Sequence, residues 1–277
     1  MASRTRYAHK VMIHFWLLVL LIVLIFPFYW LTVSALQTPA SLLTRPPTVI
    51  PRVISLFHIQ NVFRTLGVMR YLYNSVFLSV VSVFATVLVS SLAAYSYTVY
   101  RFGAREWASR AVLFVYMFPP VLVVIPLYLV LSFVNLINTH TGVIIVFIAF
   151  NAPVCIWTLQ AYFSTIPREL LDASTIDGLS KLRALWRIYV PLSTPGIAAS
   201  SVLTFIGVWN NFIFPNTFLL SERLRPLPVI IVDFTTREAV LRGDILASSL
   251  IVTIPAFFFA AYAQRYLVGG LTAGSGK

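Results

Sequence analysis

Five stretches of this chain contain no Asp, Glu, Lys or Arg: Val11–Thr44, Tyr71–Tyr100, Ala111–Pro167, Ile188–Ser221 and Ile245–Gln264. Soluble domains average about 25% charged residues, so runs of this length are foreign to them. Charged residues make up 10% of the 277 and hydrophobic ones 59%, and the mean hydropathy is +0.89. These values exclude a water-soluble enzyme and a disordered protein, and leave an integral membrane protein. Cys155 stands alone, which excludes an internal disulfide framework and a cysteine metal cluster.

A hydrocarbon core about 30 Å thick is crossed by about 20 helical residues. The 57-residue run Ala111–Pro167 is too long for one such helix. Its polar break, Asn135-Leu-Ile-Asn-Thr-His-Thr-Gly142, reads as a turn between two spans. The sequence therefore predicts an all-α membrane protein with six helices, at 12–36, 73–99, 111–133, 143–163, 192–219 and 246–267, in one domain over 1–277. Arg4, Arg6 and Lys10 precede the first span as they would a signal peptide. Its apolar stretch nevertheless exceeds the 7–15 residues of a signal peptide's apolar region, so a retained helix is expected.

Net charge is +12, but the bases sit in short segments between spans, which fits membrane topology and not nucleic acid. With both termini cytoplasmic, twelve Lys and Arg fall inside and eight outside. The segment 37–70 is awkward on this reading, with four Arg, no acid and a proline-rich stretch.

No acid lies within a predicted span and no base near a span's centre. Ion-coupled carriers ordinarily hold an ionisable or strongly coordinating group at mid-depth, and a self-phosphorylating pump would need a large soluble domain. The chain must conduct passively or borrow energy. Its ending, Gly270-Leu-Thr-Ala-Gly-Ser-Gly-Lys277, imitates a phosphate-binding loop but has no Ser or Thr after the lysine, so no cofactor or nucleotide is expected on this chain. The histidines His9, His14, His58 and His140 are too scattered to predict a metal site.

The segment 164–191 is the most polar part of the inner face. Ser164 or Thr165 is expected to cap a helix, Pro167 to occupy its first turn and Glu169 to favour its positive end. Leu171, Ala173, Ile176, Leu179, Leu182, Leu185 and Trp186 give an amphipathic pattern. Asp177-Gly178 breaks the helix, Ser180 starts another and Pro191 marks entry into span five. Physics alone leaves two readings, an interfacial connector or a docking element for a cytoplasmic partner.

The spacing Asp172-Ala173-Ser174-x3-Gly178-x9-Ile188-x-Val190-Pro191 resembles the EAA motif of ATP-binding-cassette (ABC) importer permeases, Glu-Ala-Ala-x3-Gly-x9-Ile-x-Leu-Pro. Asp replaces Glu at 172, Ser replaces Ala at 174 and Val replaces Leu at 190. Asn74-Ser75, Ala94-Tyr95, Arg101-Phe102-Gly103, Met117-Phe118-Pro119, Trp209-Asn210-Asn211-Phe212 and Gln264-Arg265-Tyr266-Leu267 extend the likeness along almost the whole chain. It is closest to the maltose-type carbohydrate permeases.

The resemblance implies a six-helix, MetI-like importer bundle whose segment 164–191 is a coupling helix seated in an ATPase subunit. It implies a second permease forming a heterodimer with this chain, two ATPase subunits carrying ATP and Mg, and an extracytoplasmic solute-binding protein, in a prokaryotic plasma membrane. Glu169, Asp172, Ala173, Ser174, Asp177, Gly178 and Pro191 become the coupling residues, and the tail 268–277 reaches toward the ATPase pair. Asp172 is a methylene shorter than the Glu of the motif.

Other residues are open to two readings. Asn151, Trp209, Asn210 and Asn211 either line the translocation path or satisfy neighbouring helices, since an unpaired amide in hydrocarbon is costly. Most of Trp16, Tyr29, Trp30, Tyr71, Tyr73, Tyr95, Tyr97 and Tyr100 are read as interfacial belt residues. The external segment Ser221–Asp244, with four acids and four bases, is either a contact for the binding protein or a plain loop. Polyamine, glycerol phosphate, amino acid or peptide cargo, an independent carrier, and a structural subunit are the alternative functions.

Overall fold

The computed structural model describes the backbone of residues 2–236 and 242–273, and side chains within 9–114, 116–236 and 242–261. Arg237 and the end of the tail, 274–277, lie outside the described residues, as do the side chains of Arg4, Arg6 and 264–267. In chain order the helices are α1 (Ala2–Ala35), α2 (Phe57–Arg64), α3 (Val68–Val99), α4 (Arg105–Tyr116), α5 (Pro120–Phe133), α6 (His140–Phe163), α7 (Arg168–Ile176), α8 (Lys181–Ala184), α9 (Val190–Leu192), α10 (Thr194–Trp209), α11 (Ile213–Phe218), α12 (Leu227–Thr236) and α13 (Arg242–Ala273).

Among the described residues, four single helical stretches, His9–Ala35, Val68–Val99, His140–Phe163 and Arg242–Ala261, are long and apolar enough to cross a membrane. The expected spans three and five are each broken. In the third, Pro119 takes an extended conformation (ψ 130°) and Pro120 opens α5, because consecutive prolines remove donors and push the preceding residue out of helix geometry. At the start of the fifth, Lys181–Leu192 and Thr194–Trp209 meet at 82°, and within it α10 stops at Asn210 before α11 resumes. A π turn, Leu185–Tyr189, precedes that bend. The last span begins earlier than expected, at Arg242, and so takes Asp244 into its first turn.

The chain divides into two contact-defined units. In the first, 1–68 with 231–254, the proline-rich segment folds back on the end of α1. Ser55 N–H donates to the Leu36 carbonyl (2.8 Å), the Gln37 amide to the Thr48 carbonyl (2.7 Å) and the Tyr29 hydroxyl to the Val49 carbonyl (2.7 Å). This is where the proline-rich segment within 37–70 finds its partners. His58 on α2 and Asp244 on α13, both fully buried, meet at 2.7 Å, and Asn61 donates to the other carboxylate oxygen at 2.8 Å.

The second unit, 69–230 with 255–277, holds the larger core. Leu78, Val146, Phe147, Val208, Phe214 and Phe218 form one buried cluster, while Tyr95, Cys155, Leu159, Phe163, Leu185 and Tyr189 form another. Helix α6 packs against α10 and α4. The approach to α10 is close: a Cβ at Gly196 would run into the Tyr162 ring, and one at Gly207 would meet the Asn151 Oδ1 at 2.6 Å. On α3, Ser75, Ser79, Ser82, Thr86 and Ser90 are buried along one face at helical spacing, a small-residue face suited to tight packing in a membrane.

Candidate functional site

The connector between α6 and α10 folds as a helix, a glycine turn and a second helix. Ser164 and Thr165 do not cap α7. Their hydroxyls donate back to the Ala161 and Tyr162 carbonyls (2.8 and 2.7 Å) and close α6 instead. Pro167 is the residue that precedes α7, and Glu169 lies in the first turn, where a negative charge complements the helix dipole. Without a hydroxyl or amide at the cap, the fixed proline geometry sets where the helix begins.

The end of α7 is a Schellman turn. Gly178 has φ +79°, its N–H donates to the Thr175 carbonyl (3.1 Å), and Leu179 N–H donates to the Ser174 carbonyl (2.9 Å). Nothing lies within 4 Å of a Cβ built at Gly178, so the demand for glycine is one of backbone conformation and not of space. Ser180 then caps α8, its hydroxyl accepting from Arg183 N–H at 3.4 Å.

Burial differs from the amphipathic expectation. Leu185 is fully buried and Leu171 and Leu179 are half-buried, but Ile176 is 86% exposed, Leu182 57%, Leu170 44% and Trp186 42%. Ser174 is buried, with its hydroxyl on the Leu171 carbonyl at 2.8 Å. Glu169, Asp172, Ala173, Asp177, Gly178 and Pro191 are exposed. Among the described residues, neither Glu169 nor Asp172 has a basic partner within 4 Å. The connector therefore turns one edge into the bundle and presents apolar side chains and unpaired carboxylates outward.

Its inner edge is held by residues that the sequence reading placed elsewhere. Tyr95, only 3% exposed, donates its hydroxyl to the Lys181 carbonyl at 2.7 Å. Its ring meets Tyr189 edge-on at 4.9 Å, and Phe163 meets Tyr189 at 5.6 Å. Burial raises the pKa of the Tyr189 phenol, with Arg168 opposing and Asp172 adding to the shift. Lys181 in turn lies over the Tyr100 ring, 5.1 Å from its centroid. Tyr71 is also buried and donates to Glu222 at 2.6 Å, so neither Tyr71 nor Tyr95 is a belt residue. An adjacent Ala94-Tyr95 in an apolar helix carries no periodic signal that separates a core phenol from an interfacial one.

The expected path residues are not gathered into one polar site. The Asn151 amide donates to the Phe147 carbonyl (2.8 Å) and that of Asn210 to the Ile206 carbonyl (3.2 Å). Asn211 accepts from Phe214 N–H (3.1 Å), opening α11. Trp209 is buried, stacked on Phe205 at 5.3 Å. These side chains serve the ends and interior of their own helices; only Asn210 is exposed, at the break between α10 and α11.

The segment 219–227 is anchored at several points. The Asn74 amide donates to the Arg223 and Arg225 carbonyls (2.9 and 3.0 Å), Leu227 N–H donates to Ser75 (2.8 Å), and Asn138, at φ +59°, exchanges hydrogen bonds with Ser221 (both 2.8 Å). An anchored loop that leaves Leu220, Glu222 and Arg223 exposed is a fixed feature of the surface.

Apolar helices of membrane length, joined by an ordered polar connector, make this a multi-pass membrane protein. The profile of a family described as "Binding-protein-dependent transport system inner membrane component" matches residues 86–268, and the chain belongs to that family. Such permeases are not catalytic; the ATPase of an ABC importer is a separate subunit. The chain is 30% identical to the inner membrane ABC transporter permease protein YcjP of Escherichia coli, over 100% of both chains. It is 32% identical to the trehalose/maltose transport system permease protein MalG of Thermococcus litoralis, over 92% of each. A crystal structure of a bacterial ABC transporter involved in the import of the acidic polysaccharide alginate shares the fold, with TM-score 0.84 at 20% identity over 95% of this chain and 98% of that one.

Proposed function

We propose that this chain is the membrane-spanning permease of an ABC importer that moves a sugar or sugar-like solute into the cell. Relatives whose names specify trehalose, maltose, sulfoquinovosyl glycerol and arabinooligosaccharides support a carbohydrate cargo. The chain forms one membrane domain that crosses six times, the broken pairs α4–α5 and α10–α11 each supplying part of a crossing, with both termini in the cytoplasm. It pairs with a second permease, draws on two ATPase subunits and receives solute from an extracytoplasmic binding protein.

The observation that carries this reading is the exposed edge of α7. A helix that leaves Leu170, Ala173 and Ile176 in water beside Glu169, Asp172 and Asp177 gains nothing from that arrangement alone, because it leaves apolar area unburied. A groove in a partner removes the cost. The Gly178 turn fixes the angle between α7 and α8, and Tyr95 and Tyr189 tie α8 to the bundle. Movement of the ATPases on binding ATP is then passed as a rigid displacement to α10, across the bend at Ser193, and alternates access to the path. Asn210, exposed at the helix break, is the candidate among the four path residues for contact with the moving solute.

The test is recovery of the tagged chain from mild detergent with its companions identified, followed by uptake in vesicles. Recovery of an ATPase pair, a second permease and a binding protein, with ATP-dependent sugar uptake, supports the reading. Transport by the chain alone without ATP refutes it.

A further inference from the structure

We infer that the cleft bordered by the coupling segment binds the phosphate of an anionic lipid headgroup. The cleft has a volume of about 870 Å³ and lies among α3, α4, α6 and α7. Four bases line it, Arg105, Arg110, Arg168 and Lys181, against one acid, Asp172. Arg110 is offset by Glu106 at 3.6 Å, whereas among the described residues Arg105, Arg168 and Lys181 have no carboxylate within 4 Å. Three cations outside any ion pair, set against one acid, leave the cavity net positive, and an anion is its physical complement.

The position of the cleft specifies a lipid. It opens where two membrane-length helices end, at Thr98 and Val99 of α3 and at Ser164 just beyond α6. Its lining combines apolar Val99 and Leu113 and the 60%-exposed Trp157 with polar and basic side chains. A tryptophan beside a basic patch at that depth is the pattern of a headgroup site, and its volume accommodates more than a lone phosphate ion. Ser109 and Gln160, joined at 3.1 Å across α4 and α6, keep its rim polar. A headgroup there would sit at the root of α7, so lipid charge would set how firmly the coupling segment is held. The assignment rests on the proposed topology only for the leaflet involved.

The test is native mass spectrometry of the full chain, released from mild detergent containing equal phosphatidylglycerol and phosphatidylcholine. The wild type is expected to retain the anionic lipid about tenfold more than the zwitterionic one, and Arg105→Gln/Arg168→Gln to lose most of that preference. Lys181→Gln is expected to lose part of it, and Arg52→Gln, in the other unit, none. Equal retention of the two lipids, or an unchanged preference in a double variant that elutes as the wild type does, overturns the assignment. Displacement of the lipid by millimolar inorganic phosphate also overturns it, in favour of a free-anion site. None of these readouts needs an ATPase partner, so this inference and the transport reading fail separately.

Discussion

Tyr95 and Lys181, 86 positions apart, are joined by a hydrogen bond of 2.7 Å from the phenol to the main-chain carbonyl. It links α3 to the first residue of α8, beyond the Gly178 turn, and so holds the connector by its backbone. Replacing Tyr95 with Phe keeps the edge-on contact with Tyr189 and removes only this bond. A stability loss of about 1 kcal/mol is expected, with faster amide exchange in 178–185 and little change elsewhere. Uniform exchange across the chain would mean that the bond is not a local tether.

The turn at Gly178 makes a separate demand. With φ +79° and open space around it, Gly178→Asp pays only for a left-handed backbone, about 1 kcal/mol. The variant is therefore expected to fold and reach the membrane, while ATP-driven uptake falls because α7 and α8 meet at a different angle. Uptake at the wild-type level, measured in vesicles against ATP hydrolysis, would contradict the coupling assignment.

Ile176 tests the exposed edge directly. At 86% exposure it contributes almost nothing to the fold, so Ile176→Ser is expected to leave thermal stability unchanged. Association with the ATPase partner is expected to weaken about tenfold, as for an apolar anchor lost from an interface. A stability loss with unchanged association would reverse the roles.

The crossing of α6 and α10 depends on the absence of a side chain at 196. Gly196→Ala places a methyl against the Tyr162 ring and is expected to cost about 1–3 kcal/mol. Combining it with Tyr162→Ala should cost less than the sum of the two single changes, because the collision is then gone. Additive losses in thermal unfolding would show that the two positions are not in conflict.

In the other unit, His58→Ala removes a buried partner of Asp244 and is expected to cost about 3 kcal/mol. Asp244→Asn keeps the shape and a hydrogen-bonding side chain, and is expected to cost less. The order of the two unfolding temperatures decides the matter.

Much of this protein could be read from the order of its residues. Charge-free runs mark apolar helices because hydrocarbon admits neither free charge nor unpaired backbone, and that constraint is local. Asp177-Gly178-x-Ser180 gave the turn and the second helix for the same reason: a left-handed glycine and a serine cap act within a few residues. The double proline 119–120 also carried its own break, although apolarity alone made 111–133 look continuous.

The tertiary structure decided everything that depends on which face a residue turns to. Periodicity gave Ile176, Leu182 and Leu185 the same apolar standing, yet only Leu185 enters the bundle. In a membrane chain nearly every helix face is apolar, so hydropathy cannot separate core from lipid or partner contact. Nor can sequence bring His58 to Asp244 across 186 positions, Tyr95 to Lys181 across 86, or three cations to one cleft. Those contacts arise from the packing of whole helices, whose ends lie where the chain path places them. Sequence thus determined the elements and the class of protein, and packing determined the surfaces on which it acts.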